Sequence, residues 1–299
     1  MQGGTVIEDV GLPAELAGQR GLKMLTVLSY VFSAHFQHNN ILRNMIALLS
    51  LEEDYISPYI LKAFTYLGRF KPLIDSHQGV LEELAPICKD LAMSGTPKQA
   101  KHAIRCMFVN TETDTDSSID IFTDLVDSFK TTLNPHHENY RTAIVALGHI
   151  AYNMPEKYQV PIKNIISRKI VKDLLVKDSS TNGKRDQSAE KWCEEDELPE
   201  ETKCKVEGLK TMARWLLGLK QDVLSAQKTF RMLNAFIKQK GDLLEQGNLS
   251  PCEMSWLRLG AGTAMLKICE QKGVGDQFTA EQFYNLAQLM VSPFIFHES

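Results

Sequence analysis

Histidine side chains are the first residues to consider for metal binding or general-base chemistry in this sequence. His35 and His38 can share one helix face, and His136 and His137 directly precede Glu138. A protein metal site needs three or four convergent ligands, and neither cluster supplies them at a recognised spacing. These histidines are therefore predicted to be solvated loop residues, and the sequence predicts no metal and no cofactor.

The cysteines show no pairing pattern that is typical of a zinc site, since no CxxC motif occurs. Cys193 and Cys204 flank an acidic segment, but zinc would need two further ligands there. Cys88, Cys106 and Cys269 lie on apolar helix faces, which favours reduced, buried thiols in the cytosol or nucleus. The full set is Cys88, Cys106, Cys193, Cys204, Cys252 and Cys269.

No catalytic motif is recognisable, and the chain is predicted not to be an enzyme. Gly260-Ala261-Gly262 has the composition of a dinucleotide loop, but it lies inside a helical pattern with no strand before it and no third glycine. Close helix packing is the better interpretation. Phosphate-loop, GxSxG and HExxH motifs do not occur. An all-helical enzyme remains the alternative from another class, and it would need a convergent pair of titrating groups.

Charged residues offer a clearer binding pattern, in two basic helical stripes. Either stripe can be a solvated helix face, or it can bind an acidic partner segment or an anion along a groove. The formal net charge of −4 and the lack of a recognition module argue against direct, sequence-specific nucleic-acid binding. The first stripe contains Lys98, Lys101 and Arg105, and the second Lys163, Arg168, Lys169 and Lys172.

Trp192 is a further candidate contact residue, because it lies in a polar, acidic segment with no obvious core to join. It can act as an aromatic anchor for a partner, or it can simply be exposed. No stretch has the roughly 18 consecutive apolar residues that a membrane helix requires, so no membrane association is predicted.

The elements that position these residues are predicted to be helices arranged in repeats. Ser57-Pro58, Thr96-Pro97 and Asn134-Pro135 each place a capping side chain beside a proline, and these prolines lie 39 and 38 residues apart. A period near 40 residues with two helices per period is typical of HEAT or armadillo solenoids. Thr96/Gln99, Ser250/Glu253 and Thr279/Gln282 have capping-box spacing.

Apolar residues at 3.6-residue spacing between Leu22 and Met290 predict about six helix pairs. The predicted fold is an all-α, right-handed α-solenoid. The predicted organisation is a flexible tail (1–20), a first solenoid part (21–177), an acidic disordered loop (178–203), a second solenoid part (204–291) and a divergent C-terminal tail (292–299). The loop is predicted to be mobile because its composition cannot bury enough apolar surface to offset its ordering entropy.

Seven segments, taken in their order along the chain, have a recognisable sequence pattern. They are GTPKQAKHAIRC (95–106), LGHIA (147–151), IVKDLLVKD (170–178), RWLLGLK (214–220), GDLLEQ (241–246), MSWLRLGAGTAMLK (254–267) and FTAEQF (278–283). Together they resemble the precocious-dissociation-of-sisters (Pds) family of cohesin-associated sister chromatid cohesion proteins. The resemblance covers about Leu22 to Val291, the middle section of the family's much longer solenoid, so a fragment or alternative product is expected.

The resemblance implies a nuclear, non-enzymatic HEAT-repeat scaffold that regulates the cohesin ring. Family members bind the kleisin subunit of cohesin, the Wings-apart-like releasing factor and its antagonist sororin, and they reach chromatin indirectly. The family's docking surface for short motifs of the last two lies in repeats that this chain lacks, so no binding residue is transferred from the family. A generic HEAT adaptor for transport or a phosphatase, or a truncated and partly inactive product, are the alternatives.

Overall fold

The computed structural model describes residues 13–51, 53–111, 116–177, 193–219, 222–244, 248–271 and 273–291. These residues form two compact units. The first draws on Met1–Cys88 and Arg105–Thr113, and the second on Lys89–Ile104 and Asp114–Ser299. No strand occurs within the described ranges, where the chain is overwhelmingly helical.

The first unit is built from the N-terminal helices and from the ends of two helices that contribute to both units. Its helices are α1 (Ala14–Val31), α2 (Asn39–Leu48), α3 (Ile56–Phe70), the short α4 (Leu73–Ser76), the start of α5 (Gln78–Ser94) and the end of α6 (Pro97–Asn110), with a 3-10 turn at Ser33–Phe36. Helix α3 packs against α1 and α2. Its buried face, which includes Phe64, forms the centre of this unit's core.

A fully buried asparagine links three backbone segments of the first unit. Asn110 Nδ2 donates to the carbonyl oxygens of Phe64 (3.1 Å) and Cys106 (2.9 Å), and Asn110 Oδ1 accepts from the Leu73 N–H (3.3 Å). A buried amide must be satisfied in this way to avoid a large desolvation cost. Gly68 faces the same amide at a distance that leaves no space for a Cβ.

The second unit contains the remaining helices. They are α7 (Asp116–Thr132), α8 (Tyr140–Asn153), α9 (Pro155–Ile165) with a π-helical continuation (Ile166–Leu175), α10 (Glu200–Gly218), α11 (Val223–Lys238), α12 (Pro251–Cys269) and α13 (Ala280–Ala287), with 3-10 turns at Glu195–Glu197, Gly275–Gln277 and Gln288–Val291. Helix α10 lies at the centre and packs against α8, α11, α12 and the π-helical stretch.

Glycines allow the helices of the second unit to approach closely. A Cβ on Gly148 of α8 would lie 2.5 Å from Thr211 Oγ1 of α10, and Thr211 Oγ1 donates to the Ile144 carbonyl at 2.9 Å. Inside α12, Gly260 faces side chains of α10. Gly262 faces the side chains of Leu286 in α13 and Leu289 in the 3-10 turn that follows it. The interpretation of Gly260-Ala261-Gly262 as a helix-packing element is therefore confirmed.

The predicted capping boxes are confirmed. Ser250 and Glu253 exchange hydrogen bonds at the start of α12, and Thr279 and Gln282 do so at α13. At α6, the Thr96 N–H donates to Gln99 Oε1 (2.6 Å) and the Gln99 N–H to Thr96 Oγ1 (3.3 Å). These motifs are local in sequence, so spacing alone identifies them.

One of the three cap–proline signals was wrong as a helix start, and another marked a helix start with the wrong cap. Helix α3 begins at Ile56, so Ser57-Pro58 lies in its first turn, but the N-cap is Tyr55 rather than Ser57. Asn134-Pro135 lies in a turn before α8, which begins at Tyr140. There Asn134 Oδ1 accepts a hydrogen bond from the His136 N–H at 3.2 Å, an Asx-type turn that competes with helix capping.

The all-α fold is confirmed, and α1/α2, α3/α5, α6/α7, α8/α9, α10/α11 and α12/α13 follow the predicted order of six pairs. The superhelical handedness stays a prediction. Two boundaries differ, since α1 begins at Ala14, inside the predicted tail, and α10 begins at Glu200, inside the predicted loop. Residues 1–12, 178–192 and 292–299 lie outside the described residues, so the predictions for these segments, and for Trp192, stay predictions.

Candidate partner-binding surface

The first basic stripe contributes to a concave surface of the second unit, which we call the basic cleft. Its cationic residues come from the start of α6, the start of α8 and the second half of α10, and the cavity between them has a volume of about 440 Å3. Glu195 and Glu207 also line it, so the described lining combines five cations with two carboxylates. The cations are Lys98, Lys101, Arg141, Lys210 and Arg214.

Hydrogen bonds and close packing hold these three helices in position. The Thr96/Gln99 capping box fixes the first turn of α6. Thr142 Oγ1 on α8 donates to the Gly95 carbonyl at 2.6 Å, which joins the start of α8 to the residues before α6. The Gly148–Thr211 approach joins α8 to α10. The cleft is therefore supported by rigid elements on three sides.

Ion pairs neutralise part of the charge in the cleft. Arg141 Nε lies 3.3 Å from Glu200 Oε1, and Glu207 contacts both Lys210 Nζ (2.7 Å) and Arg214 Nη1 (3.7 Å). Lys98 is exposed and Lys101 half-buried at the rim. Ammonium and guanidinium groups arranged in this way donate charge-assisted hydrogen bonds to carboxylates, so the cleft suits an acidic peptide segment.

The second basic stripe forms a separate surface, the basic ridge. It follows the π-helical stretch after α9, where the Val176 N–H donates to the Val171 carbonyl five residues back at 2.9 Å. Two shallow cavities of about 340 and 440 Å3 border it. Asp173 is the acidic side chain on this surface, and it lies 4.0 Å from Lys169. The cations of the ridge are Lys130, Arg168, Lys169, Lys172 and Lys177.

Two of the predicted contact residues, Arg105 and Lys163, do not line these surfaces in the described part of the chain. Arg105 is half-buried in α6 and does not line the basic cleft. Lys163, in α9, is exposed and lies near Asp222, whose pKa its charge helps to lower. Trp192 lies outside the described residues. The structure thus brings Lys98 and Lys101 together in the cleft, and Arg168, Lys169 and Lys172 on the ridge.

Sequence reasoning missed most of the cleft. Arg141, Lys210 and Arg214 lie more than 35 residues from the first stripe, and only tertiary packing brings them to it. A signal for two of them was present, because Lys210 and Arg214 are four residues apart and therefore share a helix face. Lys130 and Lys177, at the two ends of the ridge, were also missed.

A fourth cavity, of about 310 Å3, brings His136 and His137 near Tyr140 and Cys204. Burial, with a smaller contribution from Glu200, raises the pKa of the Cys204 thiol to about 12. Burial likewise raises the pKa of Tyr140. Both groups are therefore protonated at neutral pH and are poor nucleophiles or metal ligands. Across the described residues no cluster of His, Cys, Asp and Glu side chains could hold a metal ion.

The prediction of reduced thiols was wrong for one pair of cysteines. Cys193 and Cys252 form a disulfide across 59 residues, whereas Cys88, Cys106, Cys204 and Cys269 are free thiols. Disulfide connectivity cannot be deduced from cysteine spacing alone, and these two lie in different elements. Among the described helices, none combines the length and apolar content needed to cross a bilayer.

Comparison with known proteins gives a consistent result over almost the whole chain. Residues 11–294 match a family model described as sister chromatid cohesion protein PDS5. The chain belongs to the PDS5 family. It is similar to PDS5 homolog B-B of Xenopus laevis (31% identical over 290 residues) and PDS5 homolog B of Homo sapiens (31% over 290 residues), each over 95% of this chain. PDS5 homolog A of Homo sapiens is 34% identical over 280 residues, or 92% of this chain.

The chain spans about a fifth of the length of these curated PDS5 relatives, 19% to 20% in each case. Family membership confirms the resemblance noted in the sequence. Several of the segments that carried the resemblance contain residues that fix helix packing. Residues 95–106 include the start of α6, and residues 147–151 include Gly148, which contacts α10. Residues 254–267 include the glycines of α12. The PDS5 resemblance therefore involves residues that position the basic cleft.

Proposed function

We propose that this chain acts in sister chromatid cohesion as a non-enzymatic helical scaffold in the nucleus, in contact with chromatin through cohesin. Membership of the PDS5 family carries this proposal. The partners we propose are the kleisin subunit of cohesin, the Wings-apart-like releasing factor and sororin.

The basic cleft is the surface that we propose for partner binding. It is concave, its described lining contains more cations than carboxylates, and rigid helices support it on three sides. A net charge of −4 over the chain disfavours general attraction to acidic molecules, so a local positive surface must provide the contact. An acidic segment of a cohesin subunit would match it in charge and would associate faster because of it.

Charge reversal tests this proposal. The purified chain is used as bait in nuclear extract, and cohesin subunits are quantified by mass spectrometry. The cleft variant carries Lys98→Glu and Lys101→Glu, and the ridge variant carries Lys169→Glu and Lys172→Glu. The control carries Lys228→Glu and Lys267→Glu, two exposed lysines outside both surfaces. All three variants change the net charge equally.

We expect the unmodified chain, the control and the ridge variant to retain cohesin. The cleft variant should lose at least about 80% of it, since each exposed charge pair contributes up to about 1 kcal/mol and its reversal adds repulsion of an acidic segment. Loss with the ridge variant alone would assign binding to the ridge. If the unmodified chain retains no cohesin, the proposal that this part of the family binds cohesin is wrong.

A further inference from the structure

An acidic turn of the chain itself lies at the basic cleft. Residues 194–197 are Glu194, Glu195, Asp196 and Glu197, all exposed, and they form a 3-10 turn before α10. The Glu195 side chain lines the same cavity as Lys98 and Lys101. The turn therefore places the Glu195 carboxylate among the cations that an acidic partner would contact.

A covalent connection to α12 holds the start of this turn. Cys193 is disulfide-bonded to Cys252 in the first turn of α12, and Trp256 Nε1 donates to the Cys193 carbonyl at 3.0 Å. The other contacts of the turn are non-covalent. Leu198 is buried, and Lys203 Nζ donates to the Asp196 carbonyl at 2.7 Å. Besides the main chain, which continues through Leu198 and Pro199 into α10, the disulfide is thus a covalent attachment of the acidic turn to α12.

The other cysteines are poorly placed for thiol–disulfide exchange. A hydrogen bond with Cys106 and burial raise the pKa of the buried Cys88 well above its ordinary value, and burial raises the pKa values of Cys204 and Cys269. Thiols with raised pKa values exchange slowly. Cys193 is partly exposed, so a reductant can attack its sulfur. Disulfides inside cells are usually transient and redox-sensing rather than structural.

We propose that the Cys193–Cys252 disulfide is a redox clasp that holds the acidic turn at the basic cleft, where it competes with an acidic partner. Reduction releases the N-terminal end of the turn from α12, increases the mobility of the turn and makes the cleft more available. This proposal rests on the proposed function, because it assumes that the cleft binds acidic segments. The clasp itself, the link between disulfide state and the mobility of the turn, does not depend on that assumption.

The reductant is a dithiol of the thioredoxin class. One of its thiolates attacks Cys193 Sγ, the bond to Cys252 Sγ breaks, and the Cys252 thiolate leaves and takes up a proton. The second thiol of the reductant, as a thiolate, attacks its own sulfur in the mixed disulfide and displaces the Cys193 thiolate, which is protonated. Two electrons and two protons pass to the protein, and the dithiol becomes a disulfide.

The experiment uses the whole chain, prepared oxidised and after reduction with a dithiol. Peptide-level mass spectrometry first establishes the Cys193–Cys252 bond in the oxidised sample. Hydrogen–deuterium exchange then follows residues 194–198, and fluorescence anisotropy measures binding of a fluorescein-labelled decaglutamate peptide. The variants are Cys193→Ser, Cys252→Ser and Glu195→Gln. The matched control is Cys269→Ser, on the same helix as Cys252 but outside the disulfide.

We expect reduction to accelerate exchange in residues 194–198 and to tighten peptide binding about two- to fivefold, the range that one surface charge pair supports. Cys193→Ser and Cys252→Ser should bind tightly in either condition, and Cys269→Ser should respond as the unmodified chain does. Glu195→Gln should tighten binding while the disulfide is intact, which keeps the test valid if a cysteine variant fails to fold.

Three results would overturn the inference in separable ways. Unchanged exchange in residues 194–198 after reduction would exclude the clasp. Faster exchange with unchanged peptide affinity would exclude competition at the cleft. Failure of the peptide to bind in either state, with no effect of Lys98→Glu and Lys101→Glu, would contradict the proposed cleft function instead, while the exchange data would still decide whether the clasp exists.

Discussion

Asp222 shows how a single residue ties charge to helix stability in the second unit. It is the N-cap of α11, and its carboxylate accepts hydrogen bonds from the Ser225 N–H (3.0 Å) and the Ser225 hydroxyl (2.7 Å). The main-chain bond from Ser225 is the largest cause of its lowered pKa, and the positive charge of Lys163 contributes less. Lys163 thus stabilises the charged form of the Asp222 cap and does not line the basic ridge.

The pH dependence of this cap is testable. Because the pKa of Asp222 is lower in the folded chain, the charged cap stabilises it fully above the unfolded value of about 3.9 and loses this effect as pH falls through the folded pKa. We predict that Asp222→Ala lowers the free energy of unfolding by about 1 kcal/mol at pH 7. Urea denaturation should show a smaller difference at pH 3. A constant difference at both pH values would contradict the charged-cap explanation.

Local residue patterns could be predicted from sequence when the interacting groups were close in the chain. The Ser250/Glu253 and Thr279/Gln282 capping boxes join residues three apart, so their spacing was sufficient. Asn134 shows the limit of this reasoning. Its side chain accepts from the His136 N–H in a turn rather than from the first turn of a helix, and sequence does not distinguish these two partners.

At the scale of elements, the geometry of the cleft depends on the close approach of α8 and α10. A Cβ at position 148 would lie 2.5 Å from Thr211 Oγ1 and 3.2 Å from Thr211 Cα, which is backbone and cannot rotate away. The two helices carry Arg141, Lys210 and Arg214. Their separation therefore sets both the stability of the second unit and the spacing of the cleft cations.

We predict that Gly148→Ala lowers the free energy of unfolding by about 1–3 kcal/mol, because α8 and α10 must separate to admit the methyl group. Gly79→Ala is the matched control. It lies in α5 with open space around its Cβ position, so the gain in helix propensity should leave stability unchanged or raised by up to about 1 kcal/mol. Urea denaturation measures both. Equal stabilities for the two variants would show that the packing of α8 on α10 tolerates a side chain here.

Element order was more predictable than the site. Apolar periodicity identified six helix pairs, because apolar residues recur every 3.6 residues along the buried side of each amphipathic helix. Arg141, on α8, lines the same cleft as Lys98 only because α8 packs near the start of α6. The hydrogen bond from Thr142 to the Gly95 carbonyl is part of this packing. The Cys193–Cys252 bond likewise joins residues 59 apart. Such contacts depend on tertiary structure, which residue spacing does not specify.

At the scale of the whole molecule, the chain has a net negative charge but carries two basic surfaces on its second unit. Membership of the PDS5 family connects this scaffold with sister chromatid cohesion, and the cleft offers a surface through which it would act. We propose that the acidic turn, attached through the Cys193–Cys252 disulfide, controls access to that surface. The central claim is that the cleft, rather than the ridge, contacts cohesin.

Lysine footprinting tests that claim most directly. The reduced chain, alone and with purified cohesin, is treated briefly with an acetylating reagent, and modification of each lysine is measured by mass spectrometry. We predict protection of Lys98 and Lys101 by cohesin, with Lys172 on the ridge and the exposed control Lys228 labelled equally in both samples. Protection of Lys172 without Lys98 and Lys101, or equal labelling of all four lysines despite complex formation, would contradict the account.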